Sequence, residues 1–212
     1  MVTANAYTLN LAFENQAFRT ALESFQIRLN DGIGFRLAAQ MRKTKIQYNF
    51  NGTDLVPRLL SELQSPLRVF LYGGSEEVSK KVASLLQDRY PLVEVVGCSN
   101  GYVESDETVA NDIAAAGADL VLIALGHPKQ ELFVASYGDR LNAKIVYVVG
   151  GLFDFLSGAK PRAPKILRMA SLEWIYRLAI EPKRMFGRYV VGNPVFLSRS
   201  IARLSSDRKG AV

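Results

Sequence analysis

LRVFLYGGS (67–75), EEVSKKVASLLQDRY (76–90), VEVVGCSNGY (93–102), ETVANDIAAAGA (107–118) and DLVLIALG (119–126) are the stretch that decides the fold. Three short apolar runs rich in Val, Leu and Ile alternate with two amphipathic segments of helical period. Strands that read as continuous apolar runs are buried on both faces, and their alternation with helices predicts a parallel sheet covered by crossover helices. One more cycle follows, with a helix through QELFVASYGDRL (130–141) and a strand in KIVYVVGG (144–151). The expected fold is α/β, a doubly wound, largely parallel Rossmann-like sheet with helices on both faces.

Working outward, FRTALESF (18–25) and GFRLAAQM (34–41) read as helices, and GTDLVPRLLSEL (52–63) as a helix with a Thr or Asp cap. MVTANAY (1–7) reads as the end of a strand passing into a functional turn. After FDFLSG (153–158) the pattern changes: PRAP (161–164) is a break, followed by basic, aromatic helical segments in KILRMASLEWIYRLAI (165–180), EPKRMFGRYVVG (181–192) and PVFLSRSIARL (194–204). Leu172, Ile175, Tyr176 and Ala179 share one helical face, with Arg168 and Arg177 elsewhere. We therefore expect an α/β catalytic body over 1–159 and a basic amphipathic helical appendage over 160–212.

Charge supports that division. The chain carries +6 overall, but 12 of its 26 Lys and Arg and only 3 of its 20 Asp and Glu lie from Lys160 onward, so the appendage is +9 and the body −3. With 212 residues, 49% hydrophobic and 22% charged, the composition is that of a globular protein rather than a disordered one. One cysteine, Cys98, and one histidine, His127, supply neither an internal disulfide nor a zinc site, so a reducing compartment and no metal or other cofactor are expected. No run approaches the roughly 18 to 20 apolar residues of a membrane span, which leaves peripheral association. The apolar face of the appendage suits an anionic membrane surface or a homo-oligomer contact. A basic aromatic tail also suits phosphate backbones, so a nucleotide- or nucleic-acid-binding module is the second reading. It is the weaker one, because the basic residues interleave with a long apolar face, and no nucleic-acid partner is expected.

Several residues carry candidate chemistry. Gly73, Gly74 and Ser75 follow a strand and open a helix, where backbone N–H groups favour a phosphate, although such a turn also serves as plain punctuation. Neither a Walker lysine spacing nor a full GxGxxG is present. LGHPKQE (125–131) ends a buried strand and sets Gln130, a donor and acceptor, at the carboxyl edge of the sheet, where α/β folds bind ligands. His127 reads as a loop residue. Asp154, in GGLFDF (150–155), lies at the same edge and suits sugar or ribose hydroxyls, or a helix N-cap. Asp31 in RLNDGIG (28–34) suits a general base for inverting glycosyl transfer, or simply an Asp-Gly turn. Thr3 and Asn5 are polar groups beside apolar runs.

Taken in order, VTAN (2–5), DGIG (31–34), GTDL (52–55), GGS (73–75), YPLVEVVGCSNGY (90–102), ADLVLIALGHPKQE (118–131), VGGLFDFLSGAKPRAP (149–164) and LEWIYRLAIEPKRMFGRY (172–189) resemble the WecG/TagA/CpsF glycosyltransferases, glycosyltransferase family 26. The resemblance covers nearly the whole chain. It implies inverting, metal-independent transfer from a UDP-sugar to an undecaprenyl-diphosphate-linked saccharide, in exopolysaccharide or other bacterial cell-surface polysaccharide synthesis, by a hexosyltransferase on the inner face of the cytoplasmic membrane. It implies Asp31 as base, Thr3 and Asn5 near the sugar, Gln130 in the PKQE segment, Tyr102 and Asp154 beside the nucleotide, and Arg177, Arg184 and Arg188 on the departing diphosphate. In this sequence YNFNGTDL (48–55) puts Asn49 where the family commonly has Arg, at an expected substrate contact. The family usually also has a strand and helix ahead of VTxN, so the expectation is either a misassigned start or a chain whose sheet edge and activity are compromised.

Overall fold

The apolar runs pair side by side. In the computed structural model, which describes residues 1–209, strands β1 (Val2–Ala4), β2 (Arg28–Asn30), β3 (Leu67–Gly73), β4 (Val93–Ser99), β5 (Leu120–Ala124) and β6 (Ile145–Val148) form one parallel sheet in the order β2-β1-β6-β5-β3-β4. β3 pairs with β4 on one side and β5 on the other, and β6 joins β5 to β1. Helices α1 (Ala6–Glu14), α2 (Gln16–Ser24), α3 (Ile33–Met41) and α4 (Gly52–Ser61) precede β3. Parallel neighbours need crossovers, and α5 (Glu76–Arg89), α6 (Asp106–Ala116) and α7 (Lys129–Tyr137) supply them in turn. α8 (Leu152–Leu156) follows β6, and then come α9 (Lys165–Met169), α10 (Glu173–Ile180), α11 (Pro182–Met185), a π-helical turn (Phe186–Val191) and α12 (Gly192–Lys209). The fold is the α/β one expected.

Local chemistry explains the helix ends. Ser75 accepts from the Val78 N–H at 3.3 Å to cap α5, and Glu76 and Glu77 complement the positive end of its dipole. Ser105 caps α6 in the same way, and Gly117 closes that helix in the left-handed region at φ +60°. The cap expected at Thr53 or Asp54 differs: α4 already begins at Gly52, so both residues lie within its first turn, where the Asp54 carboxylate still meets the helix dipole.

The chain forms two compact units. The first comprises Met1–Thr3, Ala17–Leu29 and Gly52–Pro161. In its core Val69 and Leu71 of β3, Leu122 of β5 and Tyr147 of β6 pack with Val56 and Leu60 of α4, Val82 and Leu86 of α5, and Leu152 and Phe153 of α8. Val69, Leu71 and Tyr72 on β3 and Val121, Leu122 and Ile123 on β5 are fully buried, as strands covered on both faces must be.

The second unit comprises Ala4–Gln16, Asn30–Asn51 and the chain from Arg162 on. Here α12 packs on α1 and α3. Gly34 admits the close approach: a Cβ there would stand 3.1 Å from the Ala6 Cβ, with Asn193 and Phe196 next to it. Asn10 on α1 donates to the Gly192 carbonyl at 2.7 Å, while Arg199 reaches Asn10 at 3.0 Å and Glu14 at 2.8 Å. Met185 and Phe196 are buried, so part of the tail's apolar face is internal. The last three residues of the expected appendage, 210–212, lie outside the described residues.

Replacing Leu122 with Ala should cost about 3 kcal/mol, since it empties a fully buried site between two central strands. Urea unfolding followed by circular dichroism measures this, and a midpoint equal to that of the parent would refute the placement.

Candidate active site

In the second unit the DGIG turn leaves β2 at Asn30, and the Asp31 N–H donates to the Ala4 carbonyl at 2.8 Å. Gly32 then takes φ +85°, a region open to glycine, so the Asp-Gly turn is real, and Asp31 at its head is half-buried. Burial pushes the Asp31 carboxyl above its ordinary range. A side-chain hydrogen bond with Asn49 and the charges of Arg177 and Arg188 pull it back, and Glu173 adds to the rise. Asn49 also accepts from the Gly32 N–H at 2.7 Å.

The appendage arginines are held by their own neighbours. Glu173, one turn before Arg177 on α10, accepts from its Nη2 at 2.6 Å and its Nε at 3.1 Å. The Arg188 guanidinium lies 4.9 Å from the ring centre of Tyr7 and 5.6 Å from that of Tyr189, in cation–π contact with both. Its Nε is buried without a hydrogen-bond partner. Arg184 stands apart from these two: it is exposed and pairs with Glu181 at 3.3 Å. Asn5, in the same unit, caps α1. Its side chain accepts from Tyr7 N at 3.0 Å and Thr8 N at 3.2 Å, while Thr8 Oγ1 accepts from Asn5 N at 2.8 Å, a reciprocal capping box.

The first unit holds the remaining candidates. Thr3 on β1 meets the Tyr147 hydroxyl at 3.0 Å. Gly73 ends β3 at φ +134°, where a Cβ would run into the Ala124 carbonyl of β5, and Gly74 follows at φ +70°. The glycines thus let two strands approach and also open the N-terminus of α5. Gly101 donates to the Gly74 carbonyl at 2.8 Å, which brings the turn after β4 against this one and leaves Tyr102 largely exposed, at 84%. Asp154 is in the first turn of α8, whose N-cap is Gly151, and pairs with Lys160 at 2.8 Å.

Gln130 is buried at the start of α7. Its Nε2 donates to Glu131 Oε1 at 2.8 Å and its Oε1 accepts from Gly150 N at 3.1 Å, tying the turn after β5 to the one after β6. Glu131 is fully buried, and its Oε1 also lies 2.7 Å from His127 Nδ1. His127, read from sequence as a loop residue, is therefore anchored by a buried carboxylate. The i, i+4 spacing of His127 and Glu131, like that of Glu173 and Arg177, was visible in the sequence; the partners of Arg188, Tyr7 and Tyr189, were not. Among the described residues no grouping of three His, Cys, Asp or Glu could hold a metal ion, and no helix is long and apolar enough to cross a membrane.

The first unit carries polar turns at the ends of parallel strands, and in the second a carboxylate lies in the field of two arginines. The description "Glycosyl transferase WecG/TagA/CpsF family" matches residues 1–210, and the chain belongs to that family. Relatives include the N-acetylglucosaminyldiphosphoundecaprenol N-acetyl-beta-D-mannosaminyltransferase of Bacillus subtilis (strain 168), 34% identical over 86% of this chain and 72% of the relative. The protein of the same description from Bacillus spizizenii is 35% identical over 87% of this chain and 72% of its own length. The one from Staphylococcus aureus (strain MRSA252) is 32% identical over 93% and 77%.

Because folding raises the Asp31 carboxyl, its charge opposes the folded state as pH climbs from the ordinary carboxylate range through the raised value. Asp31→Asn should accordingly raise the melting temperature at neutral pH, with the gain shrinking in acid as the parent carboxyl takes up its proton. Equal melting curves at pH 7 would show that the carboxylate is not buried at a cost.

Proposed function

We propose that the protein transfers a hexose from a UDP-sugar, with inversion and without a metal ion, to a saccharide carried on undecaprenyl diphosphate, as the names of its relatives suggest for the acceptor. The observation that carries this reading is Asp31, a carboxyl raised by burial and faced by Arg177 and Arg188, in a chain of this family. A raised carboxyl is a better proton acceptor than a solvated one. In the proposed reaction Asp31 takes the proton of the acceptor hydroxyl as that oxygen forms its bond to the anomeric carbon. The bond from the anomeric carbon to the β-phosphate oxygen breaks, and UDP leaves with the electron pair. Arg177 and Arg188, with Arg184, offset the charge that gathers on the leaving diphosphate. Thr3, Asn5 and Gln130 place the donor sugar, and Gly73, Gly74, Tyr102 and Asp154 serve the nucleotide.

Asn5 and Gln130 would act in part through backbone and ordered side chains, since Asn5 caps α1 and Gln130 bonds to Glu131 and Gly150. Part of the appendage would lie on the anionic inner face of the cytoplasmic membrane. Support comes from Ile166 and Met169, one turn apart on α9 and 80% and 77% exposed, and from Phe186 at 55%, among the basic residues of this stretch. Each nearby Lys or Arg adds about 1 kcal/mol of attraction to an anionic surface at low salt. Cell-envelope or exopolysaccharide synthesis is the process such a transfer would serve.

Asp31→Asn should lower turnover by about 100-fold or more while leaving UDP affinity within experimental error, as expected when a general base is removed. Turnover would be followed with UDP-N-acetylmannosamine and a synthetic N-acetylglucosaminyl-diphosphate lipid, and UDP affinity by calorimetry. Parent-level turnover rejects Asp31 as the base. The double change Ile166→Asp, Met169→Asp should abolish sedimentation with vesicles containing phosphatidylglycerol, without altering UDP affinity; undiminished sedimentation would remove α9 from the membrane contact.

A further inference from the structure

Residues 48–50 lie along residues 30–32 of the second unit like a second rail. Asn30 Nδ2 donates to the Tyr48 carbonyl at 2.8 Å, Phe50 N donates to the Asn30 carbonyl at 2.9 Å, and Gly32 N donates to Asn49 Oδ1 at 2.7 Å. From the other side, Asp31 N is fixed to the Ala4 carbonyl at 2.8 Å. The backbone on either side of Asp31 is thus bonded to two different segments, and its side chain in turn meets Asn49.

The chemistry of that contact follows from the amide. A carboxamide offers one oxygen that accepts and one NH2 that donates. The Asn49 oxygen is engaged by Gly32, so the group available to Asp31 is the NH2, and an ionised carboxylate can only accept. Donation to a carboxylate favours its charged form, the form that a general base must have. The charged groups around it are divided: Arg177 and Arg188 favour the carboxylate and Glu173 disfavours it. Arg177 is itself bound to Glu173, and Arg188 rests over Tyr7 and Tyr189. Asn49 does something the arginines do not. Its one planar group holds the backbone amide that follows Asp31 and offers its NH2 beside the carboxylate.

We propose that Asn49 is a positioning residue for Asp31, its carbonyl fixing the Asp-Gly turn through Gly32 and its NH2 lying on the side of that turn from which it can orient the carboxylate. This role, which rests on Asp31 being the base, differs from that of a residue touching the donor sugar. A substrate contact would act on KM for the UDP-sugar; a partner of the base acts on the pH at which the enzyme switches on.

The test uses the full chain with UDP-N-acetylmannosamine, the same synthetic acceptor, and the variants Asn49→Asp, Asn49→Ala and Asp31→Asn. Asn49→Asp keeps an oxygen for the Gly32 N–H but replaces the donor with a second negative charge, so it separates support of the turn from support of the base. Both Asn49 variants should move the acid limb of the kcat profile upward, by about one pH unit for Ala and further for Asp, with KM for the UDP-sugar changed by less than roughly twofold. Melting curves and UDP calorimetry establish that each variant is folded, and Asn49→Asp suffices if Asn49→Ala is not. An unmoved acid limb, or a raised KM as the whole effect, overturns the proposal. The Asp31→Asn control separates the two failures. If it abolishes turnover while the Asn49 variants keep the parent pH profile, the positioning role alone falls; if it retains turnover, the base assignment falls and takes this inference with it.

Discussion

A parallel pair of strands cannot be closed by a tight turn, and that constraint organises this molecule. Each strand from β3 to β6 is reached through a helix, so each leaves the sheet in the same direction and ends in a turn at the same edge. The helices cover both faces of β3 and β5, which is why those strands carry unbroken apolar runs. It also places the polar turns with Gly73 and Gly74, Tyr102, and His127 through Gln130 at carboxyl ends, where a loop can vary without disturbing the ladder. Bonds between neighbouring turns, Gly101 to Gly74 and Gly150 to Gln130, then fix turns that the strands leave close together.

In the second unit the governing quantity is the balance on one carboxylate. Desolvation raises the Asp31 carboxyl while a hydrogen bond and two guanidinium groups oppose that rise. Neither influence alone would suit a base: full neutralisation by cations would make it a poor proton acceptor, and burial alone would keep it protonated. The acid Glu173, which engages Arg177, moderates one of the cations. Tyr7 and Tyr189 hold Arg188 through their ring faces, which leaves its charge uncancelled by an acid in that contact. The division of labour between arginine–acid and arginine–aromatic contacts gives two side chains of one type different electrostatic weight.

The candidate residues were legible to different degrees. Asp31 followed by Gly32 announced a turn, and the turn is there, but the charges that oppose the rise of its carboxyl, Arg177 and Arg188, come from α10 and the π-helical turn far along the chain. Asn5 was expected near the sugar from the family resemblance; the structure shows it as a helix N-cap, a role its position before AYT already permitted. Glu131, which carried no assignment of its own in the PKQE run, is among the most buried residues. Asn49 looked like a missing charge and proves to be bonded to Asp31 and Gly32.

Amino-acid order by itself determined the alternation of strand and helix, the positions of the glycine turns, the break at PRAP and the basic bias of the last quarter of the chain. These are local properties, written in periods of two and 3.6 residues and in backbone preferences that do not depend on distant partners. The family, too, was legible from the order of its motifs. Only the tertiary structure decided that residues 48–50 lie along residues 30–32, that arginines from the tail act on Asp31, and that Gln130 spans two turns. Those pairings join segments separated by many residues, and no local pattern encodes which of several possible partners the packed core will bring within bonding distance.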